Sequence, residues 1–466
     1  MLSRLATRLV ALSERYVPDA FVFALLGTGL VVGAGLLVAP AGQVIDAWGR
    51  GFWSLLSFTL QMALIIIAGH VVASAPAAAR LIERLAAWPR TGRGAVVTCT
   101  LVSLCTSWIN WGLSLVFSAL LVRAVARQMA QRGVRVDYRA LAASSLLGLG
   151  SIWAQGLSGS AALQMASPGA LPPEIARIVA HGGLVPGGLI PLSRTIFLWQ
   201  SLLSVAIELV VVTLVMGWVA PQGERAVTAA ELGVDLSDPV REPPPAGPLR
   251  PGEWLEHTPL LSLLVLALGG TYLVRLLAAA PSRLDAINLS TVNLAFLLGG
   301  VLLHWTPARL MHAFARATPA VWSVILQFPF YGGIAGVIGA TSLNERLAGL
   351  FVSVSSQATF PPLVALYSAV LGVFVPSGGA KWVIEAPYVL GAAHRLGVHL
   401  GWMVAAYDLG EALANLVQPF WMVPVLSLLG LRARDVMGYT ALVFLVLLPL
   451  VLLLTLVLGR TLPYPL

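Results

Sequence analysis

The single lysine of the chain, Lys381, stands four residues before Glu385 in the apolar stretch PSGGAKWVIEAP, residues 376–387. A Lys and a Glu one helical turn apart can neutralise each other, whereas an ammonium just past a Pro-Ser-Gly-Gly break can serve an anion. Pairing is the favoured reading, because charges removed from water are usually paired. With Pro376 interrupting the helix, Ser377, Gly378 and Gly379 sit at a new helix start, where free N–H groups and the helix dipole favour a carboxylate. A second polar tip, CTSWINWG, offers the oxygens of Thr106, Ser107 and Asn110, with Trp111 beside them and Gly112 letting a ligand approach the backbone.

Two further segments carry polar groups at membrane depth: SIWAQGLSGSAALQMASPG (151–169) and YDLGEALANLVQPFW (407–421). Glycine and proline allow both to unwind and expose carbonyls to a cavity. Glu411, Asn415 and Gln418 recur on one helical face. An unpaired charge at the bilayer centre costs roughly 2.5–3.5 kcal/mol on insertion scales, so Glu411 is a functional candidate. Asp408 lies nearer the outer end, where solvation suffices. Glu208, in SVAIELVVV, has no polar company in sequence and needs a proton or a partner on another helix.

The candidate substrate set is Asn110, Trp111, Gly112, Ser377, Gly378, Gly379, Lys381, Asn415 and Gln418. The candidate coupling-cation set, for Na⁺ or H⁺, is Thr106, Ser107, Asn110, Ser158, Ser377 and Glu411. No HExxH, GxSxG or Walker pattern occurs in a suitable context, so enzyme chemistry lacks support and no cofactor is expected. Cys99 and Cys105 fit no metal or disulfide pattern and read as small apolar packers.

These residues need a membrane scaffold. The chain is 58% hydrophobic and 10% charged, with a mean hydropathy of +0.87. Runs long enough for about 30 Å of hydrocarbon fall near 20–39, 51–75, 140–165, 193–219, 258–279, 289–304, 318–340, 401–428 and 436–459, which predicts an all-α polytopic protein of about nine transmembrane helices. Two more apolar segments, about 94–122 and 359–393, are interrupted at the polar tips and read as re-entrant hairpins. The N-terminal residues 1–19 read as an interfacial helix rather than a cleaved leader. With a cytoplasmic N-terminus, 19 arginines fall inside and 8 outside, as positive charge near span ends requires. The net charge of +8 thus reflects topology, and no aromatic-interleaved basic patch suggests nucleic acid.

A proline-rich cytoplasmic linker (221–257) separates two halves, 20–220 and 289–460, with an unpaired connecting helix at 258–279. LSFTLQMALIIIAGH around Gln61 matches WSVILQFPFYGGIAG around Gln327, 266 positions later, and Asn110 and Ser377 keep nearly the same offset. Because each half crosses four times and the extra helix adds a fifth crossing, the halves are predicted to be inverted repeats. That symmetry, with broken helices meeting near the midplane, belongs to secondary transporters.

The ordered motifs LQMALIII.GH (60–70), INWG (109–112), SGS (158–160), TVNL (291–294), QFPFY (327–331), VPSGG (375–379) and GE...N..QPFW (410–421) give the chain its family resemblance. It resembles the bacterial short-chain fatty acid transporters of the ion-transporter superfamily. The resemblance implies uptake of small monocarboxylates such as butyrate or acetoacetate across the inner membrane, by a scaffold and a moving, elevator-type hairpin domain, often in a homodimer. A carrier of another organic anion, a dicarboxylate or an amino-acid derivative, is the alternative, ahead of a membrane enzyme or a channel.

Overall fold

The computed structural model describes residues 20–237, 250–280, 283–284, 286–375 and 377–466. The interfacial helix expected at 1–19, the middle of the linker and Pro376 lie outside the described residues. Those described are helical with no strand among them. Seven helical stretches are long and apolar enough to cross a membrane: Ala41–Ala73, Gly92–Ile109, Trp111–Gln131, Trp199–Val219, Leu260–Ala279, Pro307–Ala340 and Ala433–Gly459. Three shorter apolar helices, Phe21–Leu36, Leu289–His304 and Phe360–Phe374, accompany them.

The sequence predicts about nine spans, and the two segments expected to unwind do so. The segments at 140–165 and 401–428 are each broken midway, and the first hairpin has arms of 18 and 21 residues, each long enough to cross alone. The second arm outruns its expected end because Arg123, Arg127 and Gln128 continue a good helix-forming sequence as far as Gln131.

In the first half, α1 (Leu56–Ala73) precedes the hairpin of α2 (Gly92–Ile109) and α3 (Trp111–Gln131). A helix broken into α4 (Tyr138–Leu147) and α5 (Ser160–Ala166) follows, then α6 (Trp199–Val219). After the separate α7 (Leu260–Ala279), the second half repeats the order: α8 (Trp322–Ala340), the hairpin of α9 (Phe360–Phe374) and α10 (Gly378–Leu396), the broken pair α11 (Leu400–Ala414) and α12 (Met422–Leu429), and α13 (Ala433–Gly459). The packing repeats too. In each half the first helix packs on the second hairpin arm, and the first arm packs on both the broken helix and the last helix.

α7 packs along one side on the helix Leu289–His304, buries only Ser262 fully, and exposes most of its other side chains, among them Leu263, Leu264 and Leu268. An all-round apolar helix of this kind suits lipid rather than water. Cys99 is buried as expected, but Cys105 is exposed, because it falls on the outer face of α2.

Candidate substrate and ion site

A single residue builds the first tip. Asn110 has extended backbone angles (φ −159°, ψ 123°); its N–H closes α2 on Thr106 O at 2.9 Å, while its Oδ1 accepts from Leu113 N at 2.8 Å and caps α3. Such a cap is worth about 1 kcal/mol. Gly69 lets α1 press onto this tip, since a Cβ there would collide with Asn110 Oδ1 and Leu113 N. The break between α4 and α5 lies across the same tip. Leu157 N donates to Trp108 O at 2.8 Å, Trp111 N donates to Ser158 Oγ at 2.9 Å, and Gly156 has no room for a Cβ against the Trp108 carbonyl.

The second tip starts α10 at Gly378, after Ser377. Tyr407 Oη donates to Gly378 O at 2.5 Å and Gln164 Nε2 to Gly379 O at 2.9 Å, so side chains from α11 and α5 hold the first turn in place. First-turn N–H groups have no intrahelical acceptor and remain for a ligand. The two breaks are joined as well: Asn415 Nδ2 donates to Leu149 O at 3.1 Å, Gln418 Nε2 to Asn415 Oδ1 at 2.8 Å, and Phe420 N to Gln418 Oε1 at 2.7 Å.

Between tips and breaks lies a cavity of about 30 Å³, room for about two waters. Its polar side is formed by Ser160, Ser377, Gly378, Gly379, Glu411 and Asn415, and its apolar side includes Met62, Ile66, Leu149, Val324 and Phe328. Trp111, Trp153 and Trp421 complete the lining. The indole N–H groups of Trp111 and Trp153 have no partner among the described residues, though both side chains are buried. Two buried donors without acceptors beside a free helix start make a site suited to an anionic oxygen.

Lys381 lies behind this lining, fully buried. Its Nζ donates to Ser368 O at 2.6 Å and Ser368 Oγ at 2.9 Å and contacts Glu411 Oε2 directly. Ser368 thus takes two of the three donors an ammonium has, and the charge itself faces Glu411. The expected Lys381–Glu385 pair is therefore secondary: Glu385 Oε1 is 3.9 Å away, and neither Glu385 oxygen has a hydrogen bond. Glu411, arriving from α11, offers the closer geometry. Its carboxylate has two faces, since a Cβ on Gly372 would lie 3.1 Å from Oε2 and a Cβ on Gly378 would lie 3.3 Å from Oε1. Oε2 is turned to Lys381 and Oε1 to the cavity end of α10. Asp408, expected to be solvated, is 2% exposed, because α11 is enclosed on every side. Glu208 has found its partner, accepting from Gln155 Nε2 at 2.9 Å.

The structure thus brings Trp111, Ser377, Gly378, Gly379, Glu411 and Asn415 together on one cavity. Asn110, Gly112 and Gln418 support its walls rather than line it, and Lys381 acts behind Glu411. Of the candidate cation ligands, Thr106 is engaged with Val102 O at 2.7 Å and Ser158 with Trp111 N, while Ser107 Oγ has no partner. No three His, Cys, Asp or Glu side chains converge as a metal site among the described residues. Sequence reasoning missed Trp153, Met62 and Phe328. Met62 and Phe328 could have been found, since they follow Gln61 and Gln327 and keep the 266-residue offset.

A helical membrane carrier, whose small cavity sits where two hairpin tips meet two broken helices, is the class this fold and site define. The chain belongs to the short chain fatty acid transporter family, which matches residues 1–458, and it is a transporter rather than an enzyme. It is 35% identical over 448 residues to an Escherichia coli (strain K12) protein named for short-chain fatty acid transport, covering 95% of this chain and 96% of that one. A Haemophilus influenzae protein of the same designation is 33% identical over 454 residues, covering 95% and 97%. Among solved structures, the YdaH transporter of Alcanivorax borkumensis superposes with a TM-score of 0.59 at 16% identity, over 96% of this chain and 99% of that one. MtrF of Neisseria gonorrhoeae, described with a class of antimetabolite efflux pumps, gives 0.62 at 13% identity over 98% of both. At those identities the likeness is one of fold.

Proposed function

We propose that the protein is a cation-coupled symporter for short-chain monocarboxylates such as butyrate or acetoacetate. The observation that carries this reading is the cavity itself. Its lining combines Trp111 and Trp153, whose indole N–H groups have no partner among the described residues, and the start of α10 with the apolar side chains of Met62, Ile66, Val324 and Phe328. A carboxylate with a short alkyl tail matches that combination. A dicarboxylate needs a second cationic end, and Lys381 does not line the cavity but is held behind it by Ser368 and Glu411.

The recurring packing of α1–α6 in α8–α13 supports two inverted repeats of residues 20–220 and 289–460, with hairpins at about 94–122 and 359–393 and α7 as the connecting helix. In this reading the hairpins and broken helices move as an elevator-type transport domain against the remaining helices, in a homodimer of the inner membrane with its N-terminus in the cytoplasm. The test is uptake of labelled acetoacetate and butyrate into proteoliposomes, with empty liposomes subtracted and Na⁺ and pH gradients imposed separately. Uptake driven by one of the gradients is expected; downhill leak without counterflow would point to a channel instead.

A further inference from the structure

Three carboxyl groups share one ammonium in this fold. Lys381, Glu385, Asp408 and Glu411 are all 2% exposed or less, so charges among them are balanced within the cluster rather than by water. Lys381 touches Glu411 Oε2 and lies 3.9 Å from Glu385 Oε1, so Glu411 is its nearer partner. The other charged and titratable groups that act on the cluster are Glu385, Tyr388 and Asp408 with Tyr407 from α10 and α11, and Tyr367 from α9. Lys381 is the only cation among them.

A substrate carboxylate entering the cavity arrives next to Glu411 Oε1, the oxygen turned away from Lys381. Two carboxylates at that distance cannot both stay ionised against one ammonium in a buried site, so one extra positive charge has to enter with the anion. Oε1, turned away from Lys381 toward the start of α10, is placed to take a proton and donate it to a second carboxylate.

We propose that the coupling cation is a proton carried by Glu411, whose Oε1 is protonated as the substrate anion binds and donates a hydrogen bond to the anion's carboxylate, with Lys381 balancing the pair. The balance is one anion and one proton bound together, and one anion and one proton released. Glu411 is thereby both the coupling site and part of the substrate site. Glu385 and Asp408, which touch neither the cavity nor Lys381 Nζ as closely, stay unchanged through the cycle.

This rests on the monocarboxylate reading above, and the experiment separates the two. Acetoacetate is titrated calorimetrically into the purified full chain in buffers of different protonation enthalpy, with choline replacing Na⁺, at about pH 8. Uptake of about one proton per anion bound is expected, independent of Na⁺. Glu411→Gln keeps a donor toward the cavity, so it should bind the anion with the proton uptake abolished, while Glu385→Gln should retain the wild-type proton count. Binding by the wild type without proton uptake, or a requirement for Na⁺, overturns the proton assignment and leaves the monocarboxylate reading intact. The same holds if Glu411→Gln takes up a proton as the wild type does. No binding of acetoacetate or butyrate under any condition overturns the monocarboxylate reading itself.

Discussion

Asn415 donates its side-chain amide to the backbone carbonyl of Leu149 at 3.1 Å, tying the break in the second half to the break in the first across 266 positions of sequence. Leu149 lies in unwound chain, so its carbonyl has no helix partner of its own and depends on this donor. Asn415→Ala leaves the carbonyl buried without a donor, which costs about 1–3 kcal/mol and should lower the detergent melting temperature. Asn415→Asp retains the acceptor for Gln418 but turns an anionic oxygen toward the Leu149 carbonyl, and should be less stable than Ala. An aspartate variant as stable as wild type would show that the two breaks are held together by something else.

The Lys381–Glu411 contact sets a different ordering of variants from the one an i,i+4 pattern suggests. Lys381→Ala strands the Glu411 carboxylate in a dry site, a loss of about 3–5 kcal/mol, and should sharply reduce folded yield. Lys381→Ala combined with Glu411→Ala removes both charges and should restore most of that yield. Glu385→Gln alone should fold close to wild type, since neither Glu385 oxygen has a hydrogen bond to lose. Fluorescence-detected size exclusion measures all three, and a rescue of Lys381→Ala by Glu385→Ala but not by Glu411→Ala would reverse the assignment.

Much of this site was legible in the sequence for local reasons. Glycine, serine and proline mark both tips and both breaks, and an acid surrounded by apolar residues marks Glu411. What was not legible depends on packing between distant segments. Nothing near Lys381 in sequence says that α11 brings Glu411 closer than the glutamate one turn away. Likewise, nothing around Glu208 indicates that Gln155 reaches it from the first break. Trp153 sits among glycines and serines in a segment read as able to unwind, and only the approach of α10 makes its ring part of a cavity wall. Hydropathy averages over a window, so it does not show where a hairpin arm ends, and α3 runs on to Gln131.

The loop after α6 carries a pH-sensitive contact away from the membrane-spanning helices. Glu231 accepts hydrogen bonds from Thr228 N and from Arg135, each at 2.8 Å, and these contacts hold its pKa down at about 2, below the ordinary 4.5. A lowered folded pKa contributes stability above the unfolded value and loses it as pH falls toward the folded one. The contribution is complete above about pH 4.5 and disappears on acidification toward pH 2. Glu231→Gln should lower the melting temperature slightly at neutral pH, only slightly because the group is half exposed and its charge is screened, and match the wild type near pH 2, so that the acid limb in that window is flatter. An unaltered acid limb in the variant would mean that other carboxylates govern it.

Trp153 tests whether the cavity recognises a carboxylate through donors or merely encloses an alkyl chain. Its indole N–H has no acceptor among the described residues, and its ring packs edge-on to Trp111 with centroids 6.1 Å apart. Trp153→Phe keeps an aromatic ring at this position and removes only the donor. A hydrogen bond to a charged group is worth about 1.5–3 kcal/mol, so the half-saturating concentration for acetoacetate should rise roughly 10- to 100-fold. Trp111→Phe should act in the same direction. The uncharged amide of butyrate should compete equally weakly against wild type and Trp153→Phe, because it carries no anionic oxygen for the indole to favour. If Trp153→Phe leaves anion affinity unchanged while Phe328→Ala reduces it, the cavity selects the tail, and the start of α10 holds the carboxylate without help from the tryptophans.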